Sequence, residues 1–176
     1  MERFEGVWRG EGVGEFPPRV APFEYVEELV ISRPCPEERP HLFELRSVTR
    51  DKHSDKPLHR ETAFVRTFPH DKHRVEFMVT HPFGLVEISQ GNVAALADSD
   101  SVRLEVVATA EGFARTSTAK PPFVTELRRF YELKGGSVSH VSEIADSREY
   151  IDFICEMATT TAPLQTHLVA RLHRVG

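Results

Sequence analysis

The chain has 176 residues and a formal net charge of −5, with 40% hydrophobic and 28% charged side chains. This length suits one domain with a real core, expected to span residues 1–176, and the composition is that of a globular protein rather than a disordered one. The negative balance argues against a general nucleic-acid-binding protein. No apolar run reaches the roughly 20 residues that cross a bilayer.

Cysteine content and the N-terminal segment indicate the compartment. Cys35 and Cys155 are too few for a disulfide scaffold and predict free thiols in a reducing environment. The first residues, 1–5, contain no apolar signal core, so we expect no export. We therefore expect a cytoplasmic protein whose partners include neither a membrane nor a nucleic acid.

Strand-like segments follow one another along the whole chain. Glycine and proline recur at short intervals, and the segments between them carry alternating or β-branched apolar residues. Strands are predicted at roughly 4–16, 23–32, 41–50, 58–67, 74–80, 84–91, 102–109, 124–133, 150–159 and 166–174. About ten antiparallel strands are enough to close a β-barrel that holds one small ligand.

The first predicted strand has glycine at alternate positions, Gly10, Gly12 and Gly14, so one of its faces lacks side chains. Glycine weakens a strand and is tolerated where the chain bends or where another group approaches the backbone closely. Two interpretations stay open. One is a curved barrel corner with Trp8 as an end plug, and the other is room for a flat ligand or a neighbouring strand.

The histidines give no obvious zinc motif. His70, His73 and His81 fall near predicted turns, where we expect solvated side chains. A zinc site takes three or four converging ligands, commonly with a short-range pair, and only His70 and His73 approach such a spacing. The sequence therefore does not favour a zinc site. In the fourth predicted strand, alternation places His59 on the same face as Glu61.

Two polar segments interrupt the later strands. Residues 112–122 form a predicted loop rich in hydroxyl side chains, with Arg115 and Lys120 as its basic residues. Such a loop can contact an anion, for example the carboxylate of a ligand, although an ordinary exposed loop is the stronger interpretation. The stretch 135–148 predicts a surface hairpin tip or insertion. The chain has no nucleotide-binding loop, nucleophile elbow or His-Glu-x-x-His motif.

The C-terminal segment holds a strand, a turn at Pro163 and a second strand that starts near His167. A neutral imidazole is a common metal ligand, and a single one can hold haem iron from one side. Strict alternation places His167 on the face opposite Leu168 and Ala170. A buried His167 therefore requires a β-bulge near the start of its strand.

Several short motifs occur in a fixed order along nearly the whole chain. They are Gly6-x-Trp8-x-Gly10-x-Gly12, Phe16-Pro17, Phe23-x-Tyr25-x-Glu27-Glu28, Pro57-Leu58-His59, Gly84-Leu85-Val86-Glu87 and the series Met157, Thr159, Thr160, Thr161, Pro163, Leu164, His167 and Leu168. On these motifs the chain resembles the nitrobindin family. These proteins are haem-binding β-barrels, also found as the C-terminal domain of a THAP-type zinc-finger protein.

The resemblance implies an all-β, ten-stranded, antiparallel up-and-down barrel, similar to fatty-acid-binding proteins and lipocalins, with one haem b per chain. It implies that His167 is the proximal iron ligand and, through the bound iron, the catalytic residue. The other expected haem-binding residues are Phe23, Leu58, His59, Phe83, Lys120 and Met157. The implied activity is binding of nitric oxide and isomerisation of peroxynitrite to nitrate at ferric iron, which would detoxify reactive nitrogen species.

The chain departs from the family pattern at several places. Pro18 stands where the family has threonine, which removes a hydroxyl near the haem edge, and the 135–148 stretch is longer. Phe83 replaces a small polar residue and is expected to narrow the distal side of the cavity. Two alternatives stay open: a barrel that carries a fatty acid or other small apolar ligand without catalysis, and a nitric-oxide sensor or transporter. A homodimer is one option for the oligomeric state.

Overall fold

A computed structural model describes residues 1–97, 100–135 and 149–175. Nearly all of the predicted surface hairpin or insertion at 135–148 lies outside the described residues. The strands are β1 (Gly6–Phe16), β2 (Val20–Ser32), β3 (Leu42–Asp51), β4 (Pro57–Phe68), β5 (Asp71–His81), β6 (Leu85–Ala95), β7 (Val102–Ala108), β8 (Phe113–Arg115), β9 (Val124–Lys134), β10 (Tyr150–Thr159) and β11 (Ala162–Val175). Within these ranges the helices are single 3₁₀ turns, at Glu2–Phe4 and Ala110–Gly112, and neither is long and apolar enough to cross a membrane.

Ten of these strands close an antiparallel barrel. Each pairs with the next in the order β1 to β7, then β9, β10 and β11, and β11 pairs back with β1. This confirms the predicted ten-stranded up-and-down barrel. The three-residue β8 pairs with the start of β6 and lies in the segment predicted as a loop. Three residues are too few to show a period of two.

Alternation along the strands fills one end of the barrel with apolar side chains. In β5, for example, Val75, Phe77 and Val79 are buried while their neighbours are partly or fully exposed. Trp8 is fully buried at this end, and its indole Nε1 donates to the Phe4 carbonyl at 2.8 Å. The filled end agrees with the interpretation of Trp8 as a plug. The ligand-sized space lies at the other end.

Glycines on β1 let neighbouring aromatic rings approach the backbone. A Cβ on Gly12 would overlap the ring of Tyr25, and a Cβ on Gly14 would overlap Phe23 and Leu168. Side chains of the adjacent strands therefore occupy the space on the bare face of β1. Phe23 and Leu168 in turn form part of the cavity wall beside it.

Candidate functional site

A cavity of about 450 Å³ occupies the end of the barrel opposite Trp8, within the usual size range of ligand pockets. Its wall is formed by the starts of β2, β4, β6, β9 and β11 and by the ends of β3, β5 and β10. The predicted site residues that line it are Phe23, Leu58, His59, Phe83, Met157 and His167. Lys120 is exposed in the loop between β8 and β9 and is not part of the lining.

A β-bulge brings His167 into this cavity. Cys155 and Glu156 are adjacent on β10, but they pair with Leu168 and Thr166 on β11, so His167 is the extra residue. His167 and Leu168 can therefore both line the cavity although they are neighbours in sequence. The bulge that the sequence predicts for a buried His167 is present.

Hydrogen bonding and burial define the state of the His167 ring. Its Nδ1 lies 2.9 Å from the carbonyl oxygen of Glu15. A carbonyl oxygen only accepts, so Nδ1 carries the proton and Nε2 keeps its lone pair. Burial lowers the pKa of His167 below its ordinary value, which favours the neutral ring. A neutral imidazole whose Nδ1–H is held by a carbonyl is the usual form of a metal-binding histidine.

A group of polar side chains, which we call the floor cluster, lies at the cavity, and all of its members except the partly exposed His59 are buried. It consists of His59, Glu61, His81, Glu87 and Arg129. The Arg129 guanidinium donates to Glu61 at 3.1 Å and also to Glu87. Nδ1 of His81 lies 3.2 Å from Nε2 of His59. Four strands thus contribute charged or titratable side chains to one buried volume.

Electrostatics keep the two paired carboxyls of the floor cluster ionised. Burial alone would raise the pKa of Glu61 and of Glu87, but the adjacent Arg129 guanidinium outweighs burial and holds both pKa values below the usual range. The same two carboxylates outweigh the effect of burial on Arg129 and raise its pKa. The three groups therefore form a charged triad inside the barrel.

Burial raises the pKa of two further titratable groups beside the floor cluster. Burial raises the pKa of Glu27 to about 7, partly offset by the hydrogen bond that Ser47 donates at 2.7 Å. Burial also raises the pKa of Cys155 to about 12, so this thiol stays protonated near neutral pH. A protonated thiol is a poor nucleophile and metal ligand, and the structure gives Cys155 a packing role.

His81 corrects a prediction from the sequence. We expect a solvated side chain there, but its side chain is 4% exposed and contacts His59, Glu61 and Glu87. The strand β5 continues to His81, so the residue follows Val79 on the inward face. That alternation was visible in the sequence and could have placed His81 inside.

Phe83 contacts both histidine rings of the floor cluster. Its ring centroid lies 5.6 Å from that of His59 and 5.3 Å from that of His81, while 58% of Phe83 remains exposed. The phenyl ring therefore takes up part of the cavity beside His59. The narrowing of the distal side stays a prediction.

Comparison with known proteins matches residues 1–174 to the family described as THAP4-like, heme-binding beta-barrel domain. The chain belongs to this family. Peroxynitrite isomerase 2 of Mycobacterium ulcerans is 35% identical over 169 residues, which cover 96% of this chain and 89% of the relative. Peroxynitrite isomerase of Mycobacterium leprae is 33% identical with the same coverage. The family resemblance predicted from the motifs is thus confirmed.

A solved structure has the same fold. The crystal structure of Rv2717c from M. tuberculosis superposes with a TM-score of 0.76 at 30% sequence identity. The match covers 98% of this chain and 92% of that chain. The barrel described above is therefore an architecture of the family.

Proposed function

We propose that this protein binds one haem b in the cavity, with His167 as the proximal iron ligand, and isomerises peroxynitrite to nitrate. The observation that carries the proposal is the His167 ring, which is neutral, lines the cavity and donates Nδ1–H to the Glu15 carbonyl. Its Nε2 lone pair is therefore available to a metal. The family description supports haem as the cofactor, and the names of the relatives support the reaction.

When bound, haem supplies a ferric iron that acts as a Lewis acid on the oxidant. The chain contributes position and environment. His167 holds the metal, the Glu15 carbonyl fixes the orientation of the ring, and Phe23 and Met157 provide apolar walls that exclude water. His59 is carried by β4, four strands around the barrel from β11, and is our candidate for the polar group on the distal side.

The mouth of the cavity would hold the exposed edge of the cofactor. Leu58 and Phe83 line the cavity and are also exposed, so they would contact one edge of the cofactor. Lys120, which is exposed, would form an ion pair with a haem carboxylate at the surface. The haem iron would also bind nitric oxide, and turnover of peroxynitrite would serve detoxification of reactive nitrogen species.

Titration with ferric haem tests the cofactor and its ligand. We expect a saturable Soret band at one haem per chain, which shifts or disappears in His167→Ala. His173→Ala is the matched control, because His173 lies on the same strand and outside the cavity lining, against Tyr150. Full haem affinity and an unchanged spectrum in His167→Ala would refute the ligand assignment. No specific uptake by the unmodified chain would favour the carrier of a small apolar ligand.

A further inference from the structure

Three side-chain atoms of the floor cluster converge on one point. Nδ1 of His81 lies 3.2 Å from Nε2 of His59 and 3.8 Å from Oε2 of Glu61, and Nε2 of His59 lies 3.6 Å from that same oxygen. The nearest point equidistant from the three atoms lies in their plane, about 2 Å from each, which is the bond length of zinc to imidazole nitrogen and carboxylate oxygen. The three ligand atoms therefore lie close enough together to hold one metal ion.

An independent observation concerns the far side of the His81 ring. Nε2 of His81 and Oε2 of Glu87 are buried and have no hydrogen-bond partner among the described residues, yet they lie 3.5 Å apart. A metal bound at Nδ1 of His81 would require the ring proton to be on Nε2. The Nε2–H group could then donate a hydrogen bond to the Glu87 carboxylate. A carboxylate behind a metal-bound histidine is a common supporting contact.

The charge of this region also favours a cation. The side chains of Glu27, Glu61 and Glu87 are buried in this region, and Arg129 is the buried guanidinium that pairs with Glu61 and Glu87. Arg129 uses only one lone pair of Glu61 Oε2, so the carboxylate can accept a second partner. A divalent ion would offset the excess of negative charge, which burial makes costly.

We propose that His59, Glu61 and His81 form a second metal site, which binds one divalent transition-metal ion of the zinc class. Two imidazoles and one carboxylate are ligands that suit such an ion and leave a coordination position open. The site does not include His167, but it shares His59 with the proposed haem site. It would place a second Lewis acid in the cavity.

Calorimetry with Zn²⁺ and absorption with Co²⁺ test the site on haem-free protein freed of metal by a chelator. We expect one ion per chain and Co²⁺ ligand-field bands of a low-coordinate site. His59→Ala and His81→Ala should each weaken binding at least about tenfold and change the Co²⁺ bands. His59→Ala leaves both Arg129 ion pairs in place, so a folded variant is expected, and circular dichroism checks this.

Two further variants distinguish this site from other histidines. His73→Ala tests whether Zn²⁺ binds instead at His70 and His73, the pair whose spacing in the sequence approaches that of a zinc site. This variant should bind Zn²⁺ like the unmodified chain. His167→Ala should also keep Zn²⁺ binding, which separates this proposal from the haem ligand. Absence of stoichiometric binding, binding that survives both His59→Ala and His81→Ala, or loss of binding in His73→Ala or His167→Ala would overturn the proposal.

Discussion

Arg129 compensates the negative charge of two buried carboxylates at the cavity. Its guanidinium pairs with Glu61 and Glu87, and all three side chains are nearly inaccessible to solvent. A buried ion pair offsets the cost of removing charges from water only while every member is present. Replacement of one member leaves the others as uncompensated charges.

We therefore expect Arg129→Ala to lower the free energy of unfolding by about 3–5 kcal/mol. Urea denaturation followed by circular dichroism measures the change. Arg128→Ala is the matched control, because the adjacent Arg128 makes an exposed ion pair with Glu126, and such pairs contribute about 0–1 kcal/mol. Equal, small losses in the two variants would show that the buried triad adds little to stability.

Glu27 should make the free energy of unfolding fall as pH rises. Burial raises its folded-state pKa to about 7, above the ordinary value of 4.5, so the folded state holds this proton more tightly than the unfolded state. The contribution of Glu27 to the free energy of unfolding is therefore lost as pH rises from 4.5 through 7 and does not change further above that range. The loss is of the order of 3 kcal/mol, since one unit of pKa difference corresponds to about 1.4 kcal/mol.

Glu27→Gln should remove this pH-dependent loss, because the amide oxygen can still accept from Ser47 and carries no charge. Relative to the unmodified chain, the variant should become more stable between pH 5 and pH 8, as measured by urea denaturation. Glu24→Gln, on the same strand but exposed, is the control. An identical pH profile for Glu27→Gln and the unmodified chain would contradict a neutral, buried Glu27.

At the scale of elements, the register of β10 and β11 decides whether His167 reaches the cavity. The bulge supplies one extra residue, and a strand shifted by one residue turns its side chains to the other face. Deletion of Thr166 should let β11 pair without the bulge and direct His167 outward. We expect haem affinity to fall as far as in His167→Ala, with an unchanged circular dichroism spectrum. Full haem binding by the folded deletion variant would contradict this role of the bulge.

The strands were predictable because most of them carry alternating or β-branched apolar residues between glycine and proline. All ten barrel strands were predicted in order. The resemblance drew attention to His167, and the bulge that a buried His167 requires is present, while its role as iron ligand stays a prediction. The floor cluster was not found. Arg129 pairs with Glu87 and Glu61 from 42 and 68 residues away, and nothing local in the sequence indicates that closure of the barrel brings them together. His81 could have been placed inside by extending the alternation from Val79.

At the scale of the whole molecule, the barrel has a filled end and a hollow end. The core around Trp8 closes one end, and the cavity opens the other between strands that are distant in sequence. A ligand that occupies the hollow end contacts many strands at once. It should therefore bind only the folded chain.

Haem should consequently stabilise the fold against heat. At a free haem concentration of one hundred times Kd, binding to the folded state raises the free energy of unfolding by about 2.7 kcal/mol. This corresponds to a rise in Tm of roughly 5–10 °C for a chain of this size. Thermal melts followed by circular dichroism, with and without haem, measure this shift. His167→Ala should show a smaller rise, and an equal rise in the variant would indicate haem binding that does not depend on His167.

The measurement that tests the central claim most directly is stopped-flow decay of peroxynitrite with quantification of the nitrate formed. The haem-loaded chain, His173→Ala and His167→Ala are compared at equal haem concentration. We expect the rate of peroxynitrite decay to rise in proportion to the concentration of the haem-loaded chain, with nitrate as the main product. The His173→Ala variant should behave in the same way. In His167→Ala the rate should fall to that of free haem. Decay by the loaded chain no faster than by free haem, or undiminished decay in His167→Ala, would contradict isomerisation at a His167-bound haem.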